Sequence, residues 1–274
     1  LGREEQIKCI ENGKFKDFDW DKDNMSNYFE KFIAGLPYDV KNDRYVIIVE
    51  DGKIPEYIKE FVQKIMKINP ENLKLLEPEK EEYITFISPW GKEDKTLKPA
   101  IPKSEFWNVM KQIGKVSDEN DIIYLFITLH GCGPDMGCEE PSLAFANESV
   151  KCKEIGELLD TIKCKYMFVS VLSCAGDSVV EPLTGNASNR VVIAPTYTIP
   201  TLTDGKLVDE AGDKNGYISA YEVFKYSLIE HKVKGWKAAW KARWVGNVSN
   251  EDVARKLYFG DFEAVSYTHL RAHE

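Results

Sequence analysis

The chain has 274 residues, of which 43% are hydrophobic and 30% are charged, and its formal net charge is −9. This composition is typical of a folded protein and excludes a disordered chain. The negative charge disfavours a nucleic-acid partner, because tracking a phosphate backbone needs clustered Lys and Arg. The longest apolar runs are also too short to cross a bilayer.

Two terminal segments are set apart from the predicted domain. Residues 1–43 are polar and charge-rich, and because residue 1 is not Met we expect an incomplete N-terminal extension. Residues 265–274 resemble the translation of a transposon-type sequencing adaptor, all of whose codons fit, and we interpret them as a non-native tail. The predicted domain is therefore 44–264, and its two histidines are His130 and His231. The sequence leaves the compartment and the oligomeric state open.

Alternating strand and helix patterns predict one doubly wound domain. Near-continuous apolar runs, typical of parallel strands covered on both faces, lie at 45–50, 121–130, 165–174 and 190–196. Weaker strand patterns lie at 73–76, 83–87 and 143–146, and helical patterns at 55–68, 105–116, 152–162 and 219–230. These elements predict an α/β fold of three layers, with a mostly parallel, flavodoxin-like sheet and helices on both faces.

Two of these strands end in reactive residues. His130 and Gly131 follow the first, and Cys174 and Gly176 follow the second. Ligands of open α/β sheets bind beyond the carboxyl ends of the strands, so adjacent strands would bring His130 and Cys174 into one crevice. A cysteine beside an imidazole can react as a thiolate, and the imidazolium can protonate a leaving amine. The backbone N–H groups of Gly131 and Cys174 are the candidate oxyanion donors.

These features resemble the caspase/legumain clan of cysteine peptidases, which carry a His-Gly after one apolar strand and a Cys-x-Gly after the next. Cys174 follows His130 by 44 residues, against roughly 50 in the caspase form. The likeness extends from Tyr45 to about Glu230, and it is closer to microbial legumain-like and metacaspase-like members than to animal caspases. It implies a caspase-like sheet and a cysteine endopeptidase with a His130–Cys174 dyad, a polypeptide substrate and no metal or organic cofactor.

The expected specificity pocket departs from the pattern of that clan. Many relatives place an acidic residue two positions before the nucleophile, where this chain has Leu172. Our candidate substrate-binding residues are instead Glu50 and Asp51 after the first strand, and Tyr197 and Thr198 beyond the fifth. Because the apolar Leu172 replaces the expected acidic residue, the chain could instead be a catalytically inactive domain used for interaction or as a scaffold. A thioester intermediate equally leaves open a transamidase or ligase.

The cysteines admit two further interpretations. His130, Cys132, Cys138 and Cys174 are four N/S donors that a zinc ion accepts, although their spacing is atypical and a metal would quench the nucleophile. We therefore expect no metal. Alternatively, Cys132 and Cys138 form a disulfide if the compartment is oxidising.

Two patterns toward the C-terminal end also have alternative interpretations. The run 213–222 matches the later part of an EF-hand loop, but Ala211 occupies its first ligand position. We favour an Asn-Gly turn followed by a capping box of Ser219 and Glu222. The helical stripe of Trp236, Trp240 and Trp244 predicts a helix docked on the domain rather than contact with a membrane. His231 near a helix end is interpreted as structural.

Overall fold

The structure is a computed structural model of the chain. It describes residues 25–36, 43–78, 101–146, 148–194, 212–233 and 247–259, the backbone at 83–87 and 93–97, and a few single residues outside these ranges. The Trp stripe and the side chain of His231 lie outside the described part of the chain.

Eleven strands form three separate sheets in the described part of the chain. They are β1 (Arg44–Glu50), β2 (Leu73–Leu76), β3 (Tyr83–Ile87), β4 (Glu93–Leu97), β5 (Ile122–Thr128), β6 (Gly131–Cys132), β7 (Ser142–Phe145), β8 (Glu148–Lys151), β9 (Tyr166–Leu172), β10 (Arg190–Ala194) and β11 (Asn247–Val248). The central sheet has the order β11-β10-β9-β5-β1-β2. All its neighbouring pairs are parallel except β10 with β11.

The helices cover both faces of the central sheet. They are α1 (Glu56–Glu60), which wider turns extend through Phe61–Ile65, α2 (Lys103–Val116), α3 (Cys152–Leu159), α4 (Val180–Thr184), α5 (Ala220–Val233) and α6 (Glu251–Ala254). Side chains alternate across each strand, so Val46 and Ile48 enter one core and Ile47 and Val49 enter the other. The first core includes residues of α1, α5 and α6, and the second includes residues of α2, α3 and α4. The predicted three-layer α/β class is confirmed.

Most predicted elements are present within a few residues of their expected bounds, but several small ones differ. The strands β6, β8 and β11 have two to four residues and were not predicted. The amphipathic stretch at 27–36 contains a short run of wide helical turns at Phe29–Ala34, which buries Phe29. No helix in the described ranges is long and apolar enough to traverse a bilayer.

The order of strands creates a change of direction between β1 and β5. From β1 the chain moves to the sheet edge at β2 through α1 on one face, whereas from β5 it moves the other way to β9 through α3 on the opposite face. Loops that leave neighbouring carboxyl ends toward opposite faces open a crevice there. The segments after β1, β5 and β9 therefore form the rim on which a ligand site is expected.

Candidate active site

His130 and Cys174 lie at equivalent positions beyond two adjacent parallel strands. The register of β5 and β9 ends with Thr128 opposite Leu172, and the N–H of Leu129 donates to the Leu172 carbonyl at 3.3 Å. His130 lies two residues beyond Thr128, and Cys174 lies two residues beyond Leu172. Cys174 is exposed and its thiol is free, and the His130 side chain is 43% exposed. The sequence-based expectation that the two strands are neighbours is thus met.

The loops that carry these residues pack directly against each other. A Cβ atom on Gly131 would meet the Ser173 hydroxyl and lie 2.6 Å from the Ser142 carbonyl oxygen. A Cβ on Gly133 would lie 2.9 Å from the Ala175 carbonyl oxygen. Glycine at both positions therefore lets the backbone after His130 approach the turn that contains Cys174.

A tight turn presents Cys174 at the end of β9. The Ser173 carbonyl accepts the N–H of Gly176 at 3.1 Å, and the Ser173 hydroxyl accepts that of Ala175 at 3.3 Å. Gly176 has a φ of 65°, in the left-handed region that favours glycine. A helical turn begins there at Gly176–Val179 and continues as α4. Ser173 itself is buried, so the turn holds its neighbour Cys174 outward.

The Gly131 backbone is oriented away from the small sheet that follows it. The N–H of Ala144 donates to the His130 carbonyl at 2.8 Å, which makes Gly131 and Leu143 a non-hydrogen-bonded pair of the β6–β7 ladder. In such a pair the N–H groups point away from the partner strand. The Gly131 N–H is therefore directed outside the ladder, as an oxyanion donor would need.

Cys132 and Cys138 form a disulfide that closes the loop after His130. Disulfide sulfurs carry no thiolate charge, so this pairing removes two of the four donors of the zinc site that the sequence left open. The other free thiols among the described residues are Cys152 and Cys164. Burial raises the pKa of Cys152 to about 12 and that of Cys164 to about 11. Both therefore remain protonated at neutral pH.

Replacing Cys132 and Cys138 together with serine should destabilise the domain by about 2 kcal/mol, because a short closed loop constrains the unfolded chain. Urea unfolding without reductant would measure this effect. Dithiothreitol should lower the stability of the wild type to that of the double variant and leave the variant unchanged. Equal free energies of unfolding for the wild type and the double variant, both measured without reductant, would contradict this prediction.

Asp51 directly follows β1 and is hydrogen-bonded to the end of β5, next to His130. Its own N–H donates to the Thr128 carbonyl at 3.0 Å, and its Oδ2 accepts the backbone N–H of His130 at 2.9 Å. The same Oδ2 lies 3.7 Å from Nε2 of the His130 ring. Burial raises the pKa of Asp51, whereas the neighbouring imidazole and N–H of His130 act to lower it. The sequence indicated Asp51 for substrate binding and gave no sign of this contact.

Glu50 ends β1 directly opposite Thr128. Burial raises the pKa of Glu50 to about 7, the Thr128 hydroxyl opposes that shift, and the charge of Asp51 adds to it. Leu172, two positions before Cys174, is buried at 8% exposure. Tyr197 and Thr198 lie outside the described residues. Substrate binding by Glu50, Asp51, Tyr197 and Thr198 stays a prediction.

Replacing Glu50 with glutamine should change how stability depends on pH. The folded pKa of about 7 lies above the ordinary value of 4.5, so the wild type loses stability as pH rises between these values. The loss relative to Glu50→Gln is about 3 kcal/mol and is complete above pH 7. Chemical denaturation of both proteins at pH 4 and pH 8 would measure it. If the free energies of unfolding of the two proteins changed equally between pH 4 and pH 8, Glu50 would not have the raised pKa that its burial implies.

The run at 213–222 forms the predicted capping box. The Glu222 carboxylate accepts the N–H and the hydroxyl of Ser219 at 2.7 and 2.8 Å, and Ser219 accepts the Glu222 N–H at 3.3 Å. Ligand atoms of Asp209, Asp213 and Glu222 lie within 4.8 Å of one another. Because Glu222 also accepts the Asp213 N–H, hydrogen bonds within the turn account for its two oxygens.

The chain is distantly similar in structure to known proteins. No family model matches the chain, and no curated protein matches it by sequence. A structural-genomics target protein from Geobacter sulfurreducens aligns at a TM-score of 0.44 and 9% identity, over 81% of this chain and 100% of its own. A secreted cysteine protease from Bacteroides thetaiotaomicron, solved with an irreversible peptide inhibitor, aligns at 0.32 and 14%, over 59% and 54%.

Proposed function

We propose that this chain is a cysteine endopeptidase of the caspase/legumain type, with Cys174 as nucleophile and His130 as general acid and base. The observation that carries the proposal is the register of β5 and β9, which ends both strands at one level and places the two residues at equivalent positions beyond it. Contact between the loops that follow supports it further. Together these features favour a dyad over two unrelated structural residues.

The proposed reaction forms and then hydrolyses a thioester. The Cys174 thiolate attacks the carbonyl carbon of the scissile peptide bond, and the N–H groups of Gly131 and Cys174 stabilise the oxyanion that forms. The C–N bond then breaks, and His130 donates a proton to the leaving amine. His130 next takes a proton from a water molecule, whose oxygen attacks the thioester carbon. The C–S bond then breaks, which releases the carboxylic acid and restores the Cys174 thiolate beside the His130 imidazolium.

The exposure of the two side chains favours a chain-like substrate. Cys174 is exposed, and His130 keeps a large part of its side chain accessible at the rim of the sheet. An open rim admits a segment of polypeptide, whereas small-molecule sites usually enclose most of the ligand. The chemistry of a thiolate with an imidazole acid also suits an amide, which needs protonation of its leaving nitrogen.

A peptide library with every residue at the position before the scissile bond tests this function. Products should appear in which that peptide bond has been hydrolysed, and mass spectrometry would identify the preferred residue. Adding a primary amine separates the alternatives, because a transamidase or ligase would form the new amide while a peptidase would still release the acid. A folded protein that yields neither product would favour an interaction or scaffold domain, as the apolar Leu172 also would.

A further inference from the structure

We propose that Asp51 is a positioning residue, which orients the His130 imidazole and favours its protonated form. The inference depends on the proposed dyad and adds a third residue to it. It also gives Asp51 a role other than the substrate contact expected from its place at the end of β1. Three features of Asp51 carry it: the anchoring of its carboxylate, its distance from the ring, and its burial.

Backbone hydrogen bonds fix both the main chain and the carboxylate of Asp51 to the end of β5. The Asp51 N–H donates to Thr128 of β5, and the Asp51 Oδ2 accepts the N–H of His130 two residues later. The carbonyl of His130 accepts the Ala144 N–H on its other side. The backbone of His130 is therefore fixed from both sides, and the carboxylate is fixed relative to it.

The anchored oxygen also faces the ring. Oδ2 of Asp51 lies 3.7 Å from Nε2 of His130, within ion-pair distance and slightly beyond a hydrogen bond. Catalytic hydrogen bonds are often long before substrate binds and tighten in the complex. A carboxylate in this position selects the orientation of the ring as well as its charge.

The burial of Asp51 strengthens its interaction with the ring. The Asp51 side chain is only 12% exposed, so water screens the pair less than it would on the open surface. Burial raises the pKa of Asp51 and the imidazole lowers it. Because the interaction is mutual, the carboxylate favours the imidazolium that donates a proton to the leaving amine.

Other titratable groups lie on the surrounding segments. They are Glu50 on β1 and Lys53 after it, Asp135, Glu139 and Glu140 on the loop after His130, and Cys174 and Asp177 on the segment after β9. Cys132 and Cys138 do not titrate because they are paired. Of these segments, the one after β1 supplies the carboxylate at ion-pair distance from His130. Its removal is therefore expected to act on the imidazole directly.

The variant that tests the proposal is Asp51→Asn. An asparagine side-chain oxygen can still accept the His130 N–H, so the anchor is retained while the charge is lost. We expect kcat/KM for a peptide to fall roughly 10- to 100-fold, since the general acid stays in place. The alkaline limb of the pH profile should move to lower pH, because the imidazolium loses its counter-charge. The His130 proton resonance, identified by its absence in His130→Gln, should titrate at lower pH in the variant.

Two companion variants separate charge from structure. Asp177→Asn removes an exposed carboxylate from the segment after Cys174 and should leave both the alkaline limb and the His130 titration in place. Asp51→Glu retains the charge and should recover part of the rate. If Asp51→Asn has the His130 titration and the alkaline limb of the wild type, Asp51 is a structural residue and the positioning role is wrong.

The failure of this proposal is distinguishable from failure of the proposed function. The titration of His130 by magnetic resonance needs no substrate, so it reports on Asp51 even in a protein without peptidase activity. A downward shift of that titration in Asp51→Asn together with absent peptide cleavage would leave the pairing intact and reject the peptidase. An unchanged titration in an active peptidase would reject the pairing alone.

Discussion

Cys174→Ala should abolish peptide cleavage, with kcat/KM falling at least roughly 1000-fold, because alanine has no nucleophilic atom to form the acyl-enzyme. The exposed position of Cys174 on a turn implies that the change leaves folding intact. Equal thermal unfolding of the variant and the wild type would establish that point. Initial rates on a peptide chosen from the library would give the loss of activity.

A thiol-directed peptide probe gives a second, independent measurement of the same prediction. Among the cysteines in the described part of the chain, Cys174 should be the residue labelled, since Cys132 and Cys138 are paired and burial keeps Cys152 and Cys164 protonated at neutral pH. Digestion and mass spectrometry would identify the modified residue. Cys174→Ala should lose the label.

Cys164→Ala is the matched control for this variant. It removes a free thiol that is partly accessible, near the amino end of β9 rather than its carboxyl end. Both labelling and cleavage should persist in Cys164→Ala. Persistent cleavage in Cys174→Ala, or labelling that moves to Cys164 or another cysteine in the wild type, would show that the nucleophile is assigned to the wrong residue.

The framework of this site follows from local sequence patterns. The buried strands β1, β5, β9 and β10 contain near-continuous apolar runs, which are typical of strands covered on both faces, so they were predictable one by one. The residues that follow them, such as His130 and Cys174, were predictable as rim residues for the same reason. The capping box of Ser219 and Glu222 is likewise a local pattern.

The features that the sequence did not predict depend on contacts between distant segments. The Asp51–His130 contact joins residues 79 positions apart, and it depends on the order of β1 and β5 in the sheet, which no local periodicity encodes. The pairing of Cys132 with Cys138 was left open by the sequence, because it depends on the redox state of the compartment as well as on the spacing. The strand β11 has two residues and pairs only because β10 already presents an edge.

His130→Ala should lower kcat/KM for peptides by about 100- to 10,000-fold, because the leaving amine then departs without a general acid. The loss should depend on the leaving group. A nitrophenyl ester of the same peptide releases a weakly basic phenolate that needs no proton. Its single-turnover acylation of Cys174 should therefore be impaired much less than that of the amide. Stopped-flow measurement of the phenolate burst gives the acylation rate directly.

The chain contains its own control for the histidine change, since His231 lies in α5 on an element that does not contribute to the proposed dyad. His231→Ala should cleave amide and ester as the wild type does. If His130→Ala has the same ratio of amide to ester rates as the wild type, His130 is not the general acid. Because Asp51 acts through the ring, Asp51→Asn in the His130→Ala background should cause little further loss. Such non-additivity is what a shared proton-transfer path requires, and additive losses would place Asp51 outside it.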